Sequence, residues 1–191
     1  MATAKLLTRE TSYKDFIQPG DVVLTDKGTS SAGTAGLRMP SGVAIIGQPL
    51  WAAVGYPLPA LLGTLLAAPR RRQLLFIGDG AFQMTAQELS TILRRALKPI
   101  IFLVNNNGYT IERLILGPAS NYNDVNQWRY AEAASFFDTQ DQAIAYRVRT
   151  EDELEDALEA ARDREALVMI ELVMSRLDAP GPLVNFAQRC A

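Results

Sequence analysis

The chain has 191 residues, a formal net charge of −2 and 48% hydrophobic residues, enough for one sizeable core and one domain. It contains no histidine and one cysteine, Cys190. This excludes Ser-His-Asp and Cys-His catalysis, a His-ligated zinc site and a disulfide framework, and the near-neutral charge without a basic block argues against nucleic acid as a partner.

The N-terminal residues Met1 to Lys5 lead into polar sequence without the apolar core of a signal peptide, so a reducing, cytoplasmic setting is expected. Residues 1–12 are expected to form an N-terminal arm or remnant linker, 13–175 the domain, and 176–191 a C-terminal arm. Asp21–Thr25, after Pro19-Gly20, reads as a short buried strand and Val43–Ile46 as another. Leu50 to Ala68 runs nineteen residues with no formal charge, long enough to raise the question of a membrane span. Its Gly55, Pro57, Pro59 and Gly63, and the strand-like runs around it, argue instead for a helix buried in a core or subunit interface. Arg70-Arg71-Arg72 is expected as a solvated loop, and Trp51 and Trp128 as packing residues.

Gln73–Ile77 and Pro99–Val104 are continuous apolar runs that end in Gly or Asn, the pattern of strands covered on both faces. Between them Ala81–Leu97 predicts one helix with Phe82, Leu89, Ile92 and Leu93 on its buried stripe. Ala143–Val148 is a weaker strand and Ala166–Val173 a strong one. Thr150–Arg162 predicts a helix opened by a capping box, Thr150 with Glu153, turning Leu154, Leu158 and Ala161 inward. Its acidic first turn (Glu151, Asp152, Glu153, then Glu155) suits the helix dipole rather than a metal. This alternation predicts an α/β, doubly wound, mainly parallel sheet of about six strands flanked by helices.

Ligands of such sheets sit beyond the carboxyl ends of the strands. Three of these ends carry chemistry: Asp26 to Ser31, Gly78-Asp79-Gly80-Ala81, and Asn105-Asn106-Asn107-Gly108. At the second, glycines admit a ligand close to the backbone and a helix start offers amides to phosphate. The Asp79 carboxylate would repel that phosphate unless a divalent cation lay between them, and Mg²⁺ takes a few protein oxygens plus phosphate. Twenty-four residues separate Gly80 from Asn105, room for one helix and one buried strand, so adjacent parallel strands would set Asp79 beside Asn106. The plainer alternatives, Asp79 as a helix cap and the Asn run as a turn, stay compatible with this.

Gly78-Asp79-Gly80, the spacer and Asn105-Asn106 resemble the thiamine-diphosphate signature. The segments Gly80 to Thr91 and Asn106 to Arg113 resemble the pyruvate and indolepyruvate (2-oxo acid) decarboxylase family more closely, as do Pro19 to Leu24, Gly28-Thr29-Ser30, Gln48 to Trp51 and Tyr122-Asn123-Asp124. The likeness runs from about Leu7 to about Val184 and covers that family's C-terminal, diphosphate-binding third, so the resemblance implies a thiamine-diphosphate-binding fold. It further implies that Asp79, the Asn106 side chain and the Gly108 carbonyl hold Mg²⁺. Gly80, Ala81, Thr110 and Ile111 would meet the diphosphate, with Thr29 nearby. Backbone at Ala52 and Val54 would meet the aminopyrimidine, and Val54 would hold the cofactor bent. Glu112 would be the catalytic carboxylate, a role in which a shielded acid suits proton transfer; otherwise it is a surface Glu paired with a neighbour such as Arg113.

Ala81 stands where the family often has Ser, Lys27 where Gln or Thr is usual, and Leu116 where a His is common. The family's active site also needs a pyrimidine-binding domain that supplies a Glu and paired His, which this chain lacks. The implied activity is therefore a carboxy-lyase that releases CO2 and an aldehyde from a 2-oxo acid only when such a domain or subunit completes it, as a homo- or hetero-oligomer without nucleic acid or membrane. The apolar stretch near Leu183, Val184 and Phe186 favours a bulky aromatic or branched substrate. The alternative is an inactive truncated domain that acts as a cofactor-binding or subunit-interaction module.

Overall fold

The computed structural model describes residues 5–8, 10–163 and 165–190 of the chain. Residues 1–4 of the expected N-terminal arm, Arg9, Arg164 and Ala191 lie outside the described residues. Six strands form one all-parallel sheet: β1 (Val22–Thr25), β2 (Ala44–Ile46), β3 (Gln73–Gly78), β4 (Ile100–Asn105), β5 (Ile144–Val148) and β6 (Val168–Val173). Their order across the sheet is β2-β1-β3-β4-β6-β5, the doubly wound arrangement that the alternation predicts. β3, β4 and β6 are interior and buried almost throughout, which is why they read as unbroken apolar runs. β5 lies at an edge, where Ala145 and Arg147 face solvent between partly buried neighbours, and this alternation weakens its signal in the sequence.

The helices are α1 (Lys5–Thr8), α2 (Glu10–Phe16), α3 (Thr29–Thr34), α4 (Pro57–Ala67), α5 (Asp79–Thr85), α6 (Glu88–Arg94), α7 (Thr110–Leu116), α8 (Ala133–Phe137), α9 (Glu151–Ala161) and α10 (Gly181–Cys190). Successive residues of β3 feed opposite cores: Leu74 and Phe76 meet α2 and α9, and Leu75 and Ile77 meet α4, α5 and α6. Phe76 stacks on its β4 register partner Phe102 at 4.6 Å, and the Tyr13 ring stands edge-on to both at 5.6 and 5.5 Å. Each such buried side chain contributes roughly 1.5–3 kcal/mol. The capping box of α9 forms, with Glu153 N donating to Thr150 Oγ1 at 3.2 Å and Thr150 N donating to Glu153 Oε2 at 3.2 Å. Leu154, Leu158 and Ala161 are buried as expected.

Several details depart from the sequence reading. The N-terminal segment, expected to be peripheral, puts Leu6 and Leu7 into the core, and the Tyr13 hydroxyl donates to the Leu6 carbonyl at 2.8 Å. Ala81–Leu97 is two helices, not one. The Thr85 hydroxyl donates to Gly55 O at 3.0 Å, and Leu89 and Ser90 donate to carbonyls only three residues back, so the chain tightens between α5 and α6. Arg71 and Arg72 are not a solvated loop: Arg71 donates to the Gly20, Asp21 and Gly42 carbonyls, and Arg72 pairs with buried Asp21 at 2.7 Å over the Phe16 ring. In α4, Leu58, Leu61 and Leu65 are buried while Leu66 is half exposed, so the uncharged segment lies on one face of the sheet. Among the described residues no helix is long and apolar enough to cross a membrane.

Candidate metal and cofactor site

The chain leaves β1 for β2 on one side of the sheet and then returns to lay β3 on the other side of β1. Such a switch point opens a crevice at the strand ends. There Thr25 of β1 is level with Phe76 of β3, and Gly78 of β3 with Val104 of β4. The three segments singled out in the sequence therefore lie side by side.

Asp79 is 1% exposed at the first position of α5. Its Oδ1 accepts from Gly80 N and its Oδ2 from Gly108 N, both at 2.8 Å, so the carboxylate ties the β3 end to the β4 turn. The turn requires left-handed backbone, with φ of +61° at Asn107 and +116° at Gly108. A side chain at Gly108 would put its Cβ 2.2 Å from the Asn123 carbonyl oxygen. A Cβ at Gly80 would meet the Tyr109 ring at 2.7 Å. Buried Asn106 donates from its amide to Thr29 Oγ1 at 3.1 Å, which joins the β1 end to the same cluster and leaves its amide oxygen available. Asn105 supports the turn from inside the fold: its amide donates to buried Glu171 at 2.7 Å and its Oδ1 accepts from Asn107 N at 3.3 Å.

Sequence reasoning missed the support of this turn. Arg113 of α7, with its side chain 1% exposed, donates to the carbonyls of Asn106 (3.3 Å), Asn107, Asn123 (3.1 Å) and Arg176 (3.5 Å) and pairs with Asp124 at 2.8 Å. Arg113 is thus committed to the turn and does not pair with Glu112. Only the charge in the first turns of α7 hinted at it, since its acceptors come from three separate segments, one of them sixty-three positions away.

A cavity of about 160 Å³ lies against these groups. Every site residue expected from the sequence lines it: Thr29, Ala52, Val54, Asp79, Gly80, Ala81, Asn106, Gly108, Thr110, Ile111 and Glu112. Lys27, Ser30 and Tyr109 line it as well and were not assigned. Ala52 is held at φ +49°. Leu50 and Trp51, beside it in the chain, are 87% and 82% exposed, so Trp51 is not a packing residue within this chain, and Trp128 is only half covered, stacked on Tyr130. A larger groove of about 610 Å³ around Trp128, Phe136 and Phe137 includes none of the three strand ends.

Burial dominates the electrostatics. It pushes Asp79 up to about 6, against the lowering effect of the Gly108 and Gly80 amides, Gln127 and Arg113. Burial also pushes Asp26 up to about 6. The Lys27 and Gly55 amides offset part of that, but close no hydrogen bond to either Asp26 oxygen. The Tyr109 phenol is raised by burial first and then by Asp79 and Asp26. Asp79 in the cavity wall, and Asp26 next to Lys27 in the chain, are thus buried carboxylates short of compensating charge. Among the described residues no three His, Cys, Asp or Glu side chains cluster to hold a metal. A cation here would take one carboxylate with amide and carbonyl oxygens, a hard donor set that suits Mg²⁺. The residues present fit a divalent cation.

The family described as "Thiamine pyrophosphate enzyme, C-terminal TPP binding domain" matches residues 26–172. The chain belongs to that family. Among curated proteins it is 49% identical over 173 residues to the alpha-keto-acid decarboxylase of Mycobacterium avium (strain 104), a match that covers 90% of this chain and 31% of that protein. The alpha-keto-acid decarboxylases of Mycolicibacterium paratuberculosis (strain ATCC BAA-968 / K-10) and Mycobacterium ulcerans (strain Agy99) are 48% and 47% identical, each over 90% of this chain and 31% and 30% of their own length. The chain therefore spans about a third of the relatives that it matches.

Proposed function

We propose that this chain is the thiamine-diphosphate- and Mg²⁺-binding part of a non-oxidative 2-oxo acid decarboxylase. One observation carries this reading: eleven residues from four separate chain segments, each expected at a thiamine-diphosphate site, line a single cavity at the switch point of the sheet. Asp79, the Asn106 amide oxygen and the Gly108 carbonyl are the candidate Mg²⁺ ligands. Gly80, Ala81, Thr29, Thr110 and Ile111 are the candidate diphosphate contacts, and Ala52 and Val54 those of the aminopyrimidine. When bound, thiamine diphosphate supplies the electron sink that a 2-oxo acid needs to lose CO2.

The protein's contribution is positional. The Asp79 bonds to Gly80 N and Gly108 N, and the Arg113 bonds to the turn carbonyls, hold the ligand oxygens before the ligand arrives, which lowers the ordering cost of binding. Glu112, partly buried in the first turn of α7 and lining the cavity, is the candidate group to hold or deliver a proton in this reaction. Leu50, Trp51 and Val54, exposed at or beside the rim, leave that side open. This supports completion of the site by a pyrimidine-binding domain or subunit in an oligomer.

Calorimetry with thiamine diphosphate and Mg²⁺ tests the reading, on the wild type and Asp79→Ala, with and without an added pyrimidine-binding domain. Mg²⁺-dependent binding that Asp79→Ala abolishes is expected. No such binding even with the added domain would sink it. Aldehyde release from pyruvate, phenylpyruvate and indolepyruvate is expected only with the added domain.

A further inference from the structure

Lys27 is the one cationic side chain that lines the cavity among the described residues. It stands directly after β1, and the next residue, Gly28, is held at φ +94° and backs onto the Ile111 side chain, so the backbone turns sharply inward from Lys27 to Thr29. Among the described residues the ammonium has no carboxylate partner, and it lies over the face of the Phe186 ring of α10, 5.5 Å from the centroid. Glu112 and Asp79 line the same cavity without pairing with it. A second observation points to a polar ligand. Ser30 is 1% exposed, lines the cavity, and its Oγ has no hydrogen-bond partner among the described residues. Lys27 also lines an adjoining depression of about 300 Å³ with Thr25, Ser31 and Gln48. It thus stands between the cofactor cavity and a second, partly polar space.

We propose that Lys27 receives a second, distal carboxylate of the substrate, so that the site takes 2-oxo diacids. This rests on the reading of the cavity as a 2-oxo acid site and names its substrate class. Two physical points select the distal group. Loss of CO2 converts a carboxylate into a neutral molecule, so an ammonium on the scissile carboxylate would stabilise the starting state and slow the step. A distal carboxylate keeps its charge throughout, and its ion pair adds binding without raising the barrier. Beyond Asp79, the candidate Mg²⁺ ligand, the wall carries Glu112, which would repel a doubly charged substrate that lacked a cation to meet. Phe186, one of three residues expected from the sequence to favour an aromatic or branched substrate, turns its ring face to Lys27 and does not line the cavity.

The test uses the full chain and a readout at Lys27 itself. The four lysines, Lys5, Lys14, Lys27 and Lys98, are dimethylated with ¹³C, which keeps their charge, and Lys27→Arg assigns the Lys27 signal. 2-Oxoglutarate, 2-oxobutanoate and Mg²⁺–pyrophosphate are titrated separately. The Lys27 signal is expected to move with 2-oxoglutarate at roughly 10-fold lower concentration than with 2-oxobutanoate. By calorimetry, Lys27→Met is expected to lose that preference and Lys27→Arg to retain most of it. No preference for the diacid overturns the proposal, as does a Lys27 signal that moves only with Mg²⁺–pyrophosphate, which would make Lys27 a diphosphate contact. Thiamine-diphosphate binding, measured separately, tests the underlying reading: retained cofactor binding without a diacid preference overturns only the inference about Lys27.

Discussion

Replacing Arg113 with Met removes a buried guanidinium from three carbonyls of the turn region, those of Asn106, Asn107 and Asn123. A hydrogen bond from a charged donor contributes about 1.5–3 kcal/mol, but bonds in one network do not add. Removing one member of a buried charged network typically costs about 3–5 kcal/mol, because the partners stay buried without water. Met fills the aliphatic volume and satisfies none of the carbonyls, so a loss in that range is expected, a fall in Tm of roughly 10 °C for a chain of this size. Arg113→Lys keeps the charge without the planar fork and should lose about half as much. Urea unfolding measures both. Calorimetry with thiamine diphosphate and Mg²⁺ should show binding weakened in Arg113→Met at temperatures where the variant is still folded, since Asn106 and Gly108 lose their frame. A loss under ~1 kcal/mol with unchanged cofactor affinity would refute the role of Arg113 in holding the turn.

Gly108→Ala must accommodate a Cβ 2.2 Å from the Asn123 carbonyl at a φ of +116°; it should lose at least ~2 kcal/mol in urea unfolding, and the Mg²⁺ dependence of cofactor binding with it. Leu7→Ala should lose about 2–5 kcal/mol, because Leu7 is fully buried and packs its side chain against Gly33. Asp26 and Asp79 both rise from 3.8 to about 6 in the fold. With the folded value above the unfolded one, each stabilises the fold fully below about pH 4, and that contribution, at most on the order of 3 kcal/mol per group, is lost as the pH rises through 6. Ligand-free chain should therefore weaken between pH 4 and 7 in urea unfolding, Asp26→Asn should remove part of that slope, and Mg²⁺ with thiamine diphosphate should reverse the Asp79 part. A flat profile in the wild type would refute the cost assigned to the two buried carboxylates.

The fold was legible because its interior strands are short, parallel and buried on both faces, so β3 and β4 appear as apolar runs that stop at Gly or Asn and β6 as an apolar run. The edge strand β5 was faint for the opposite reason, since one of its faces is wet. The split between α5 and α6 was invisible because nothing in Thr85-Ala86-Gln87 breaks a helix; the Thr85 bond to Gly55, thirty residues away, belongs to the tertiary structure. Arg71 and Arg72 looked solvated because their acceptors, at Phe16, Gly20, Asp21 and Gly42, carry no mark of that role in the sequence. Trp51 failed in the other direction: it was expected to pack, and the structure leaves it at the surface.

The same division holds within the candidate site. Residues that face a ligand sit in short contiguous runs at strand ends, because a parallel sheet delivers them there, and such runs can be recognised in one sequence. Residues that hold those runs in place act across the fold. Asp79 fixes Gly108 twenty-nine positions on, Asn106 reaches Thr29, and Arg113 gathers carbonyls from the metal turn, Asn123 and Arg176. A turn with two left-handed residues and a buried carboxylate at its edge is costly to keep rigid without a ligand. These long-range bonds offset that cost. The region most sensitive to substitution should therefore extend beyond the cavity lining to Arg113 and Asn123, neither of which lines the cavity.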